Sequence, residues 1–409
     1  MRGVTVVIPV AALLLGAGSL HGETGEREPV LIISQSQFLK EAQPDGSKKV
    51  VPGPARLGIA RPGSPKWKEE VLEDPDSNVF HKAMVFGDGE SILTIGGTKA
   101  VLKLWRKEGG KWQATTLWSP SFGGKFDRLR DVEVGDVTGD GVPEIVVATH
   151  DQGVVGVIEK AGGKWLAREL DREQGIFVHE VEIGDVDGDG LNEFFVTPSD
   201  RNRATFVSQP GKIVMYRWNG KSFEKTVVEG FKGTHAKEIL LADIDGKGTD
   251  TLFAVVEAET KAEGKGTKVV SPVRIREYTL KDGKWAGKDI ATLEDRQCRF
   301  LACGDVDGDG KSELVAAGMK SGLWLFRKDS VGKWKLTQID SGSSGYEHAI
   351  YLADLDGNVA DEIYVASDDQ GEVRRYTWKD GRFEKRVLLV LPKDVITWNV
   401  VAGRLRKGR

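Results

Sequence analysis

One short turn recurs along the chain and constrains its fold more than any other feature. A glycine or proline is followed by a basic residue and an aromatic residue in seven places. A strand-like run stands on each side of most copies, which predicts pairs of strands joined by tight turns. The copies are Pro65-Lys66-Trp67, Gly110-Lys111-Trp112, Gly163-Lys164-Trp165, Gly220-Lys221-Ser222-Phe223, Gly283-Lys284-Trp285, Gly332-Lys333-Trp334 and Gly381-Arg382-Phe383.

Two further strand-like runs precede most copies, as in Val181 to Gly184 and Glu193 to Thr197. Four strands per unit, repeated every ~45 to 60 residues, are typical of propeller blades. The chain is therefore predicted to be an all-β, seven-bladed β-propeller of four-stranded antiparallel blades. The first unit lacks an inner strand, and the run from Thr397 to Leu405 has no successor. We expect this C-terminal run to complete the first blade, whose outer strands come from about residues 30 to 72, because that pairing removes an open edge.

The first residues have the pattern of a secretory signal. Arg2 precedes an apolar run from Val4 to Leu15 and then small residues, which predicts a signal peptide over residues 1–22 and a secreted or periplasmic protein. Residues 28–409 are then one propeller domain. The net charge of −4 is spread in both signs along the chain, which indicates neither a nucleic-acid surface nor a basic membrane patch. We expect a monomer with no transmembrane segment in the mature chain.

Acidic loops follow the first strand of several units. Carboxylates at alternate positions, with glycines between them, can converge on Ca²⁺, which accepts six to eight oxygens. The last acidic residue comes at the ninth position and a strand begins at once, unlike in an EF-hand. The predicted calcium ligands are Asp185, Asp187, Asp189 and Glu193; Asp305, Asp307, Asp309 and Glu313; and Asp136, Thr138, Asp140 and Glu144.

Two further copies of the loop are altered. In the copy that begins at Asp243, Lys247 occupies the fifth position, and its ammonium could replace the ion. The other copy has lost its second glycine, and we expect only weak calcium binding by Asp354, Asp356, Asn358 and Glu362. Bound calcium would stabilise the ring; the alternative is that these loops are acidic turns without metal.

Units such as the segment from Val181 to Val196 resemble FG-GAP/VCBS repeats, the calcium-binding blades also found in integrin α-subunit heads. The resemblance covers nearly the whole mature chain. It implies a seven-bladed ring with cations on one face, bound at the Asp, Thr and Glu positions named above. It says little about activity, because propellers include both binding modules and enzymes.

The opposite face is predicted to hold the functional residues. Residues just before each inner strand should surround the channel mouth there; they are His81, Arg130, His179, His235 with Lys237, Arg299, His348 and Trp398. Loops between the second and third strands add His150, Asp151, Asp200, Arg201, Asp368 and Asp369. A single histidine at such a position usually caps or packs, but several together could bind a transition metal or act as a general base.

Two classes of function remain open. The first is a calcium-stabilised module that binds a glycan, a surface polymer or a protein at the channel face. The second is a carbohydrate lyase or dehydratase, with His179 or His348 as base and Arg130 or Arg299 stabilising the anion. The aromatic residues of the repeated turns occur once per blade, which favours packing between blades over sugar binding.

Overall fold

The computed structural model describes residues 26–64, 66–125, 127–150, 152–201 and 207–407, so the predicted signal peptide lies outside the described residues. The regular structure in these ranges is β-sheet, apart from one 3-10 turn at Asp368–Gln370. No helix within these ranges has the length and apolar composition needed to cross a membrane.

The strands form seven antiparallel blades, as the sequence predicted. Blade 1 contains β1 (Arg27–Ala42), β2 (Lys48–Pro52), β3 (Ala55–Arg61) and β4 (Lys68–Asp74), and blade 2 contains β5 (Val79–Phe86), β6 (Ser91–Gly97), β7 (Leu102–Glu108) and β8 (Lys111–Trp118). Blade 3 contains β9 (Leu129–Gly135), β10 (Glu144–Thr149), β11 (Val155–Ala161) and β12 (Lys164–Asp171), and blade 4 contains β13 (Ile176–Gly184), β14 (Glu193–Asp200), β15 (Gly211–Trp218) and β16 (Phe223–Phe231).

Blade 5 carries an additional hairpin. It contains β17 (Ala236–Ala242), β18 (Thr251–Val256), the hairpin strands β19 (Glu259–Glu263) and β20 (Gly266–Ser271), then β21 (Val273–Lys281) and β22 (Lys284–Leu293). Blade 6 contains β23 (Cys298–Gly304), β24 (Glu313–Gly318), β25 (Gly322–Lys328) and β26 (Trp334–Asp340), and blade 7 contains β27 (Ile350–Ala353), β28 (Glu362–Ser367), β29 (Glu372–Lys379) and β30 (Arg382–Val390).

The two ends of the chain close the ring. The last strand, β31 (Val395–Arg406), pairs with β1 from Arg406 opposite Arg27 to Val395 opposite Gln37. It is therefore the inner strand of blade 1. Each inner strand contacts the inner strands of both neighbouring blades. The predicted closure is confirmed, and β31 is longer at both ends than the run predicted from the sequence.

The hydrophobic core lies between neighbouring blades. The turn aromatic of one blade packs against the blade before it: the ring of Trp334 lies 5.9 Å from that of Phe253, and the ring of Trp285 lies 5.8 Å from that of Phe195. Trp67 of blade 1 in the same way lies 6.1 Å from Tyr364 of blade 7. The turn aromatics therefore seal the joints between blades, as their spacing indicated.

Six inner strands carry a β-bulge near the same end. A bulge adds one unpaired residue to a strand and redirects its side chain. The predicted mouth residues thus lie within the inner strands, at the bulges, rather than before the strands. His235 and His348 do precede their strands. The bulged residues are His81, Arg130, His179, Lys237, Arg299 and Trp398.

Candidate site at the channel mouth

The bulges bring polar and aromatic side chains from most blades into one connected set. We call this set the mouth cluster. Six of its residues are bulge residues, and the others come from the segments that lead into or connect the strands. The mouth cluster comprises His81, Arg130, His150, His179, His235, Lys237, Glu257, Arg299, Tyr346, Glu347 and Trp398.

Glu347 joins the two arginines of the cluster. Its Oε2 lies 3.5 Å from Nη2 of Arg130, and its Oε1 accepts a hydrogen bond from Arg299. Arg299 also lies 3.6 Å from Glu257 through Nε. Burial raises the pKa of Glu347, but Arg299 and Arg130 outweigh it and hold the pKa below its ordinary value. Glu347 is therefore an ionised carboxylate between two guanidinium groups.

Each of these arginines also stacks on an aromatic ring. The guanidinium carbon of Arg299 lies 4.4 Å from the ring centre of Tyr346, and that of Arg130 lies 5.8 Å from Trp398. The two rings are 6.3 Å apart. Tyr346 is 44% exposed although its neighbours in the cluster are mostly buried. The cluster thus presents an aromatic surface beside two oriented guanidinium groups.

A second part of the cluster consists of histidines and one lysine. Nζ of Lys237 lies 2.7 Å from Nδ1 of His179, and Nε2 of His150 lies 3.2 Å from the same nitrogen. The ring of His179 is 5.1 Å from that of His235. Burial, together with the nearby cations, lowers the pKa of His150 and His179 well below its ordinary value. These histidines are neutral at physiological pH.

His348 differs from the other predicted mouth residues. Its Nδ1 donates to the carbonyl oxygen of Gly318 (2.7 Å), and its Nε2 lies 2.8 Å from Oγ of Ser343. Both ring nitrogens are therefore occupied, and the ring makes no contact with the mouth cluster among the described residues. Its neighbour Glu347 contacts the two arginines in its place.

The remaining predicted ligand-binding residues lie around the cluster. Arg201 stacks over Phe177 at 6.0 Å, and Phe177 stacks in turn on His150 at 4.4 Å. Oδ2 of Asp368 accepts a hydrogen bond from the amide of Thr397. Asp369 pairs with Lys320, and Asp200 ends β14. Asp151 lies outside the described residues.

Carboxylates line the channel below the mouth, and the sequence reasoning missed them. Lys82 pairs with Asp131 at 3.0 Å and with Glu133. Burial and neighbouring carboxylates raise the pKa of three further acids, Glu180, Glu182 and Glu238, well above its ordinary value. Acidic residues two positions apart in β9 and in β13 were the available signal, because such residues share one face of a strand.

On the opposite face, the acidic loops fold around their first aspartate. The carboxylate of Asp305 accepts amide hydrogens from Gly308 and Gly310, both at 2.8 Å. These glycines have φ of 72° and 82°, where residues with a side chain are strained. In the loop of Asp354, Val359 occupies the second glycine position with φ of 86°. The loop keeps its shape there at a cost in backbone energy.

Among the described residues, three loops bring three carboxylates each to within 4.8 Å of one another. This convergence of hard oxygen donors fits calcium. The loop at Asp354, where weak binding was predicted, meets the same limit as the loops at Asp185 and Asp305. In the loop at Asp136, Thr138 instead donates its hydroxyl to Glu144 at 3.2 Å. The converging groups are Asp185, Asp187 and Glu193; Asp305, Asp307 and Glu313; and Asp354, Asp356 and Glu362.

An arginine from the third strand enters each of these three loops. Arg327 lies 2.6 Å from Asp307 and 3.6 Å from Glu313. Arg217 and Arg375 contact the same two loop positions in blades 4 and 7. In the altered loop, Nζ of Lys247 lies 3.1 Å from Asp245. Internal cations therefore neutralise part of the loop charge.

A comparison with protein families identifies one segment of the chain. The family described as FG-GAP-like repeat matches residues 305–365. The predicted resemblance is confirmed over this segment, which contains the loops that begin at Asp305 and Asp354. No curated protein matches the chain.

Solved structures share the architecture at low sequence identity. A protein from Lactobacillus plantarum has a TM-score of 0.58 at 12% identity and covers 92% of this chain and 99% of its own. A putative 6-phosphogluconolactonase from Bacteroides uniformis has a TM-score of 0.56 at 13% identity, with 92% and 100% covered. The periplasmic gluconolactonase of Pseudomonas aeruginosa has a TM-score of 0.51 at 13% identity, with 90% and 99% covered. These similarities show a common fold alone.

Proposed function

We propose that the protein is a binding module whose mouth cluster binds a small acidic, hydroxylated ligand, such as the uronate or aldonate end of a glycan. The observation that supports this is the pair of buried arginines, Arg130 and Arg299, held between Glu347 and two aromatic rings. A guanidinium group fixed in this way keeps its planar donor fork in one orientation. Such a fork recognises carboxylates with two parallel hydrogen bonds.

The other residues of the site suit the same ligand. The half-exposed ring of Tyr346 offers an apolar face to a sugar ring. The imidazole of His235 and the hydroxyl of Tyr346 offer hydrogen-bonding groups for hydroxyls. The acids deeper in the channel, such as Glu180 and Glu182, offer no positive charge to an anion. The acid group of a ligand would therefore stay beside the arginines at the mouth.

Calorimetric titration tests the proposal with galacturonate, gluconate and neutral glucose. We expect the two acids to bind and glucose not to bind. Tyr346→Ala, which alters a half-exposed ring, and Arg299→Gln should each weaken acid binding about tenfold or more. Arg404→Gln is the matched control, because Arg404 is exposed at the far end of β31. Equal binding of glucose, or unchanged binding by both mouth variants, would show that the site lies elsewhere.

The second candidate is an enzyme that acts on the same ligands. Neutral histidines beside two arginines favour a lyase or dehydratase that removes a proton next to a carboxylate. Two of the structural neighbours are a gluconolactonase and a protein named as a 6-phosphogluconolactonase, so gluconolactone is added to the panel. Mass analysis of the incubated ligands separates the candidates: turnover that Tyr346→Ala abolishes favours an enzyme, and unchanged ligands favour a binding module.

We also propose that the protein is exported and that calcium stabilises the ring. Asp185, Asp187 and Glu193, with the matching groups of blades 6 and 7, would hold the ions. Fully ligated calcium offers no open position for a substrate, so its role there would be structural. We do not extend the proposal to a transition metal at the mouth, because Lys237 donates to the His179 nitrogen that would otherwise be a ligand.

A further inference from the structure

The hydrogen bonds around Lys237 run in one direction. Oγ of Ser199 donates to the carbonyl oxygen of Asp200 at 3.1 Å, so it accepts from Nε2 of His179 at 2.8 Å. Nδ1 of this neutral ring then carries the lone pair, and Nζ of Lys237 donates to it at 2.7 Å. The ring hydrogen of His179 and the hydroxyl hydrogen of Ser199 each have an acceptor. The lone pair of a neutral Lys237 amine is left available.

The surroundings of Lys237 favour the neutral amine. The residue is 6% exposed. Burial and then the charges of Arg130 and Arg299 lower its pKa to about 7. Lysines that are desolvated beside other cations serve as nucleophiles toward carbonyl groups. Lys103 provides a contrast within the chain, because it is buried but pairs with Asp74 and Asp76, and its pKa is raised.

We propose that Lys237 condenses with the carbonyl carbon of a 2-oxo acid whose carboxylate is bound by Arg130 and Arg299. This proposal rests on the proposed function, since the same mouth cluster must first bind an acid. The amine nitrogen attacks the carbonyl carbon, and the carbonyl electron pair moves to the oxygen. His179 transfers the amine proton to that oxygen through Nδ1. The second amine hydrogen leaves with the same oxygen as water, and an imine remains. No oxidant is needed.

Reductive trapping tests the proposal on the full chain. The protein is incubated with glyoxylate or pyruvate and sodium cyanoborohydride, which supplies the hydride that converts the imine to a stable secondary amine. Peptide mass analysis then locates the label. We expect Lys237 to carry about tenfold more label than any other lysine, Lys103 included, because its pKa is lowered to about 7 and its lone pair is available near neutral pH. Labelling should rise as the pH passes through 7, where the amine loses its proton.

Controls separate this proposal from the proposed function. Gluconate has the carboxylate but no carbonyl, so it should bind, form no adduct and compete with labelling. Gluconate binding at the mouth without selective labelling of Lys237 overturns the reactive amine and leaves the binding site intact. Labelling that neither gluconate nor Arg299→Gln reduces overturns the role of the arginines. Lys237→Met should lose the label; since the map of the wild-type chain locates the adduct, the test does not depend on the folding of this variant.

Discussion

His348 and His179 occupy the same position in their blades, six residues before the first loop aspartate, yet they differ in role. His348 has φ of 56°, and burial lowers its pKa to about 4, so its ring is a neutral link between Gly318 and Ser343. We expect His348→Ala to lower the free energy of unfolding by about 1–3 kcal/mol, because it leaves buried polar groups unpaired. Denaturant melts and gluconate titration check this. Weakened binding with unchanged stability would instead place His348 in the mouth site.

At the residue scale, spacing predicted most of the mouth cluster and missed its central carboxylate. Counting six residues back from the first aspartate of an acidic loop identifies Arg130, His179, Lys237 and Arg299. The count works because six inner strands each carry a bulge near the same end. In blade 7 the inner strand begins later, at Ile350, and the left-handed backbone at His348 changes the direction of the chain. Glu347 therefore takes the place in the cluster that spacing assigned to the histidine. Positive φ at a non-glycine residue has no reliable sequence signal.

At the element scale, the arginines of the acidic loops lead to a prediction about calcium. Arg327→Gln leaves Asp307 and Glu313 without their internal counter-charge. In the presence of a chelator, we expect the variant to melt at a lower temperature than the wild type. Its free energy of unfolding should be about 1–2 kcal/mol lower, because neighbouring carboxylates without a counter-charge repel each other. Calcium should restore more stability to the variant than to the wild type. Arg106→Gln is the control, because Arg106 is exposed on β7 of blade 2, which has no converging carboxylates among the described residues. An equal calcium response of variant and wild type would contradict the calcium site in this loop.

The sequence predicted the loops but not these arginines. A loop motif is local, whereas Arg327 reaches its partners only because Phe326 lies opposite Leu314 across two strands. In blade 3 the third loop position is not an aspartate, and the arginine is not present at the matching strand position. Its loop has Thr138 in place of an aspartate, and Val157 and Glu159 stand where blades 4, 6 and 7 place an arginine. In blades 4, 6 and 7 the third-strand arginine thus occurs together with the loop carboxylates that it neutralises. The register between the second and third strands of the blade brings the two into contact.

At the scale of the whole molecule, each pair of neighbouring blades shares a buried cluster. Leu31 and Val400 of blade 1, for example, pack with Tyr364 of blade 7. The number of repeated turns gave the number of blades, since every turn aromatic needs a preceding blade to pack against. The β19–β20 hairpin and the short strand β2 occur once each. Because they belong to no repeat, periodicity could not predict them.

Closure of the ring can be tested by removing its last strand. Deletion from Val395 onward exposes the inner edge of β1 and uncovers Ile33, a fully buried residue. We expect the whole protein to melt in one transition at a lower temperature, because neighbouring blades lose a shared core. Each kcal/mol of lost stability lowers the melting temperature by ~2–4 °C, so the shift in melting temperature should be large.

Shortening the exposed β19–β20 turn between Glu263 and Gly266 should leave the melting curve nearly unchanged. A synthetic peptide of residues 395–406 should restore more stability as its concentration rises, because it can pair only with the folded ring. An unchanged melting curve after the deletion would mean that the inner strands hold the ring without the joined ends.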